Sequence, residues 1–391
     1  MPIIIDAHED LAYNMLTHGR DYRRSVGETR RLEANTEVPG RTGHTLLGWP
    51  EYQRGQVAVV FATIFLAPQR YQGGDWETQV YSDFAEAEHL IHTQFDLYQR
   101  LTGDHPDMFR LIRSRKDLAE VCQRWEERPA VFPPSEANGS ERGRSEAGGE
   151  VGADGVADTA TNPVGLVLSL EGAEGLAHPE MLEEFWELGL RLVGPVWAGT
   201  RLFGGTMEPG DMTREGQALL EVMADLGYTL DIAHMNDQSA LRAIDTYTGP
   251  VIASHANARA LLRDQANERH LADLTIRRLV ERGGIVGVLP FNRFLKASWK
   301  LGDDRQAVRL DDLAAHIDHI CQIAGDSDHV GLGTDFDGGF GWPAVPAEVD
   351  DISDLQKLAS VLEARGYAPA DVAQILGGNW RRHLERTLPE S

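Results

Sequence analysis

Eight short apolar runs, at residues 3–5, 57–66, 164–170, 192–197, 229–233, 251–254, 285–289 and 330–333, set the rhythm of this chain. Most are rich in Val, Ile and Leu, and none is long enough for an ordinary helix. Continuous apolar runs of this length suit strands buried on both faces, as in a parallel sheet. Between most of them lie longer stretches with apolar residues every three or four positions, at 83–102, 179–188, 214–226, 274–282, 310–324 and 354–365. Three of these end in glycine just before the next run, at Gly189, Gly227 and Gly283. Glycine closes a helix there because it takes the left-handed conformation without a Cβ clash. Strand and helix alternating in this way predict an α/β fold. A (β/α)8 TIM barrel needs about 250 residues, and a chain of 391 has room for one. Pattern alone also admits a doubly wound sheet. We read residues 1–391 as one (β/α)8 barrel domain.

One stretch breaks the rhythm. Residues 133–162 are rich in Gly, Ala, Ser and Glu and almost lack large apolar side chains. Such a segment buries too little surface to offset its ordering entropy. It reads as a flexible insertion between the second and third strands, because the strand–helix alternation resumes after it unchanged.

The formal net charge of -24 argues against nucleic acid and anionic lipid as partners. It also serves plain solubility. Cys122 and Cys321 are too few and too far apart for a disulfide framework. The N-terminal MPIIIDAHEDL lacks the basic start and long apolar stretch of a signal peptide. No segment approaches the roughly 18–20 apolar residues of a membrane span. The expectation is a soluble cytoplasmic protein.

The side chains that close the apolar runs carry the chemistry. The first run leads into Asp6, His8 and Asp10, the third ends at Glu171, the fifth at Asp231 and His234, the sixth at His255, and the eighth at Asp335 and Asp337. His8 and Asp10 are two apart, so on an extended chain they project to one side. In a barrel all these ends meet on the C-terminal rim, where such enzymes place their sites. A lone His at a strand end is ordinarily a hydrogen-bonded structural residue, and a lone Glu there a capping or solvated one. Five strands giving the same answer favour one metal site over five separate accidents. Imidazoles and carboxylates without cysteine suit zinc, with manganese, iron or cobalt as alternatives. Five ligands exceed the needs of one catalytic zinc, so two ions sharing a carboxylate and a hydroxide fit better, with Glu171 as the bridge. Other chemistries lack their parts. There is no glycine-rich phosphate loop, no Gly-x-Ser-x-Gly at a strand–helix junction, and both cysteines lie in helical stretches.

These residues sit in motifs that resemble the membrane dipeptidase (renal dipeptidase) family of zinc hydrolases. The matching stretches are DAHEDL at 6–11, LSLEG at 168–172, LGYTLDIAH at 226–234, IASHANA at 252–258, ERHL at 268–271, RGGIVGV at 282–288, HVGLGTDFDG at 329–338 and GGNW at 377–380. The resemblance implies two zinc ions per chain. His8, Asp10 and Glu171 would hold one; Glu171, His234 and His255 would hold the other. It implies a bridging hydroxide that attacks the carbonyl of a dipeptide. Asp335 would take the proton from the attacking water and pass it to the leaving amine. Arg269 would bind the substrate carboxylate through its two parallel donors. Asp337 is expected to be a turn or supporting residue. The resemblance also makes a homodimer plausible.

One departure bears on substrate. After strand four the family usually has a His that contacts the substrate carbonyl oxygen, and Trp197 stands at that position here. An indole donates one hydrogen bond and carries no positive charge, and losing an oxyanion donor costs about 2.7–4 kcal/mol. His178 and Arg201 are candidates to compensate. The alternative reading is a binuclear amidohydrolase of the same family that cleaves another small amide, an N-acyl amino acid or a lactam. A third is a binding protein that has lost catalysis, although no ligand and no acid is missing.

Overall fold

The computed structural model describes residues 1–127, 162–262 and 268–391. Eight parallel strands form the centre: β1 (Ile4–Glu9), β2 (Val57–Phe65), β3 (Val164–Glu171), β4 (Leu190–Gly194), β5 (Thr229–Asp231), β6 (Val251–Ile252), β7 (Val286–Val288) and β8 (Val330–Leu332). All eight apolar runs contribute a strand. The hydrogen-bonded order is β7–β8–β1–β2–β3–β4–β5–β6. A parallel bridge between Ala253 and Val286 joins the two ends and closes the cylinder. That join rests on Ala253 N donating to Ile285 O at 2.9 Å and Gly287 N donating to Ala253 O at 2.8 Å. The β2–β3 seam, by contrast, pairs continuously from Val59/Gly165 to Phe65/Glu171. The fold is a (β/α)8 barrel, as the alternation predicts.

Every strand residue is buried, which explains the unbroken Val/Ile/Leu composition. The outer layer includes helices Phe84–Asp104, Met181–Leu188, Arg214–Leu226, Asp273–Glu281 and Leu310–Ala324. The helix ending at Leu226 stops at Gly227, whose φ of 88° lets its own N–H and that of Tyr228 return to Met223 O, both at 3.0 Å. Two features differ from expectation. The region 354–365 is a 3₁₀ turn at Ile352–Gln356 followed by helix Lys357–Ala364. Strand β4 stops at Gly194, so Trp197 lies in the loop beyond it.

Tight approaches explain the glycine pattern of the last strands. A Cβ on Gly331 would lie 2.3 Å from the Trp380 indole nitrogen, which donates to Leu332 O at 2.8 Å. The GGNW motif is thus a wedge driven against β8. Cys122 and Cys321 are free thiols in helices Arg115–Glu127 and Leu310–Ala324. Of the expected insertion at 133–162, only Asn162 falls among the described residues; it is buried and exchanges two hydrogen bonds with the Gln53 side chain. Among the described residues, no helix is long and apolar enough to cross a membrane.

Candidate metal centre and active site

The ends of β1, β3, β5, β6 and β8 deliver side chains to one point on the rim. His8 belongs to the last turn of β1, and its Nε2 lies 3.5 Å from Glu171 Oε2, 3.8 Å from Asp10 Oδ1 and 3.9 Å from Asp335 Oδ1. Asp10 occupies the N-cap position of helix Leu11–His18 yet makes no capping bond. Its carboxylate is committed to the cluster instead. Glu171, the last residue of β3, places Oε1 2.9 Å from His234 Nε2 and 3.5 Å from His255 Nε2. The two histidine Nε2 atoms face each other at 2.9 Å. His234 and Asp335 both have positive φ, 65° and 56°. Non-glycine residues rarely adopt this conformation, and they do so where a site needs a particular side-chain direction.

A supporting layer orients these groups. Ser254 Oγ lies 2.7 Å from His255 Nδ1 and donates to Asp231, whose other oxygen accepts from Ser254 N at 2.8 Å. This chain turns His255 Nε2 toward Glu171. Asp6 accepts from Thr334 N at 2.7 Å and from the Thr334 hydroxyl, fastening β1 to the strand that carries Asp335. Glu174 accepts from the N–H groups of Ala198 and Gly199 at 3.0 and 2.9 Å, shaping the loop that holds Trp197. Asp6, Asp231 and Glu174 were outside the set of candidate site residues. Asp231 was visible as a strand-end acid, but nothing in its spacing distinguishes a ligand from a residue that holds one.

The electrostatics describe an array short of positive charge. Burial opposes the His8 cation, yet Glu171, Asp10 and Asp335 hold its pKa up at about 10. Burial also opposes the Glu171 anion, but His8, His234 and His255 overcome it and keep that carboxyl well below the usual range. Desolvation and the Glu171 charge push Asp10 up to about 7, and desolvation with the Asp10 and Glu171 charges raises Asp335 well above the carboxylate range. Desolvation and the Arg269 charge bring His234 down to about 4; burial with the His8 and Arg269 charges takes His255 well below its ordinary value. His8 Nδ1 and Nε2 and Asp10 Oδ1 are buried without hydrogen-bond partners. Unpartnered buried polar atoms are costly in a native fold. His8 Nε2 and Asp10 Oδ1 lie among carboxylates and the imidazole nitrogens of His234 and His255, the donor set of a hard or borderline divalent cation. Ligand-type atoms of His8, Glu171 and His255 lie within 4.8 Å of one another, as do those of His8, Asp10 and Asp335. The residues present fit bound metal.

The cluster opens into a cavity of about 350 Å³ whose lining includes Asp10, Glu171, His234, Asp335, Arg269 and Trp197. Arg269 is buried, donates to His255 O at 2.9 Å and lies 5.6 Å over the Phe294 ring. The Trp197 ring packs 5.0 Å from Phe65 and 5.9 Å from Tyr71. All eight candidate residues therefore converge on one cavity or its floor.

Asp337 takes the other role. It is fully buried and turned away from the cluster, accepting from Thr45 Oγ1 at 2.6 Å, Leu46 N at 2.9 Å and Tyr22 Oη at 3.0 Å, with Arg20 Nη1 at 2.9 Å. His178 and Arg201 do not line the cavity and so do not replace the missing His. Arg201 spends its donors on the carbonyls of Glu174, Leu176 and Ala177, and exposed His178 pairs with Glu180.

A closed (β/α)8 barrel with a buried histidine–carboxylate cluster on its C-terminal rim defines the class of metal-dependent hydrolases. Residues 150–388 match the family model of the membrane dipeptidases, peptidase family M19, and the chain belongs to that family. An uncharacterised protein encoded 5′ of pqqA in Klebsiella pneumoniae is 33% identical over 230 residues, covering 56% of this chain and 81% of that one. An uncharacterised dipeptidase of Schizosaccharomyces pombe is 27% identical over 401 aligned positions, covering 98% of this chain and 80% of its own. Among solved structures, a metallopeptidase from Rhodobacter sphaeroides, bound to a phosphinate mimic of the dipeptide L-Ala-D-Ala, shares the fold. Its TM-score is 0.72 at 22% identity, covering 99% of this chain and all of that one. His8 and Asp10 precede the span of the family model, whereas Glu171, His234, His255, Arg269 and Asp335 lie inside it.

Proposed function

We propose that this chain is a zinc-dependent dipeptidase that hydrolyses the amide bond of dipeptides, and that residues 1–391 act as one barrel domain. His8, Asp10 and Glu171 would hold one zinc, and Glu171, His234 and His255 the second, with Glu171 shared. When bound, a zinc pair supplies a water acidified for attack at neutral pH and a Lewis acid for the substrate carbonyl. The chain's own groups do the rest. Arg269 binds the substrate carboxylate by charge-assisted donation and fixes which end enters. Asp335 carries a proton to the leaving nitrogen, since an amine is a poor leaving group until protonated. The walls of Trp197, Phe65 and Phe294 limit bulk water around the reacting bond.

The observation that carries this reading is the facing pair of His234 and His255 Nε2 atoms across Glu171, with His8 on the far carboxylate oxygen. Metal analysis and a panel of L-Xaa-L-Xaa and L-Xaa-D-Xaa dipeptides, run on one zinc-loaded preparation, tests it. Turnover of panel members with about two metals per chain is the expected result. Metal binding without any dipeptide turnover rejects it. Trp197 supports a second reading, a hydrolase of N-acyl amino acids or lactams, and activity confined to those compounds would favour that one.

A further inference from the structure

The same cavity holds a carboxylate that neither the metal-type cluster nor Asp335 accounts for. Glu77 lines it, on the segment that follows β2. A two-stranded pairing of Ala67–Pro68 with Val80–Tyr81 folds that segment back over the rim. Tyr13 Oη donates to Glu77 Oε1 and Gly73 N to Oε2, both at 2.6 Å. These two donors fix the carboxylate's direction but leave its charge unneutralised. Among the described residues, no Lys, Arg or His forms an ion pair with Glu77. Tyr13, Tyr71, Trp76 and Trp197 share the lining; Arg41 and Arg70 already lie over the Trp76 and Tyr71 rings, at 5.1 and 5.3 Å, so Tyr13 and Trp197 are the rings left to attract an incoming cation.

Glu77 follows β2 and Arg269 follows β6, and strands four apart in an eight-strand cylinder stand across it from one another. The cavity thus holds both an unpaired carboxylate and a guanidinium, with Glu171 and Asp335 also in its lining. A free dipeptide has the matching charges: an ammonium at one end, a carboxylate at the other and the scissile amide between.

The geometry points to Glu77 as the residue that selects a free substrate α-ammonium, so that the preferred substrates are unblocked dipeptides and not N-acyl amino acids. This rests on the dipeptidase reading above and narrows it. Trp197 acquires a role in the same step, as a ring wall beside the ammonium.

The test compares two substrates that differ only in the amine, alanyl-phenylalanine and propionyl-phenylalanine, with zinc-loaded wild type, Glu77→Gln and Glu77→Asp. Wild type is expected to favour the free amine. Glu77→Gln should raise KM for the dipeptide by about ten- to a hundredfold, with kcat changed less, the size of a lost charge-assisted contact. The free-amine preference should shrink by at least about tenfold, and Glu77→Asp should restore part of it. Equal losses on both substrates, or an unchanged preference, overturn the assignment. Calorimetric titration with phosphinate analogues carrying or lacking the amine reads the same preference as binding. If wild type cleaves neither compound nor any member of the dipeptide panel, the dipeptidase reading fails, yet the titration still decides Glu77: the amine-bearing analogue must lose affinity in Glu77→Gln. Circular dichroism and metal content identify any variant that has merely misfolded.

Discussion

Asp335 and Asp337 leave the end of one strand, both with positive φ, and meet opposite surroundings. Asp337 is ringed by Arg20, Tyr22, Thr45 and the Leu46 amide, so both of its buried carboxylate oxygens have donors. Asp335 has no hydrogen-bond donor on its carboxylate among the described residues; its nearest charged partner is His8 at 3.9 Å. The first environment is closed and ties the loops after β1 to the loop after β8. The second is open and crowded with like charge. A carboxylate saturated by its own protein serves the fold, whereas one left wanting serves something that arrives.

The largest effect that would break this contrast falls on the open cluster. Removing metal with a chelator should abolish turnover, and adding zinc should restore it. Glu171→Gln should do the same irreversibly, with elemental analysis showing metal lost in a protein that circular dichroism reports as folded. Full activity in metal-free protein would sink the comparison.

Next comes Asp335→Asn. We expect kcat to fall about 10²–10⁴-fold with metal content retained. Stability should move the other way. The folded pKa of Asp335 lies above its unfolded value of about 3.9. Its carboxyl therefore lowers stability as pH rises from the unfolded pKa toward the folded one. In metal-free protein, Asn should raise the urea midpoint at neutral pH and give no gain below about pH 3. A lower midpoint at neutral pH would contradict the crowding described above.

Asp337→Ala sharpens the contrast from the closed side. It leaves the buried Arg20 guanidinium with Glu33 as its remaining anion, at 2.9 Å. A loss of about 3 kcal/mol is expected, the low end for breaking a buried pair, because that second partner stays. Urea denaturation measures it, and the protein that remains folded should still bind metal. The smallest effect belongs to Trp197→His, which should leave metal content unchanged and alter dipeptide kcat by no more than about tenfold. A larger gain would identify an oxyanion donor as the missing part of this site.

Much of this was legible beforehand because burial leaves periodic marks. All eight strands lay within or beside apolar runs, since a strand covered on both faces has no room for polar alternation. His8, Asp10, Glu171, His234 and His255 stood out because each closes such a run. What periodicity does not encode is which loop folds over which. Glu77 and Tyr13 are 64 positions apart and sit in stretches of ordinary polar composition. Arg20 meets Asp337 across more than 300 positions. Helix Trp49–Gly55 and the short strand Phe109–Leu111, which pairs with β3 from outside, were likewise unforeseen. Their form is set by the barrel they lean on more than by their own residues.

The cylinder is also unevenly stitched. Between β2 and β3 the ladder runs for seven residue pairs, whereas between β6 and β7 it narrows to the Ala253–Val286 bridge. Gly287 and Gly333 have no room there even for a methyl group, since a Cβ on either would come within 1.8 Å of Ser254 O. Local opening begins where the fewest bonds must break. That seam, like the single Asp6–Leu332 pair between β1 and β8, is among the thinnest of the wall, and the loop that carries His255 and Arg269 leaves from the strand beside it, so an opening of the cylinder there would slacken its mouth.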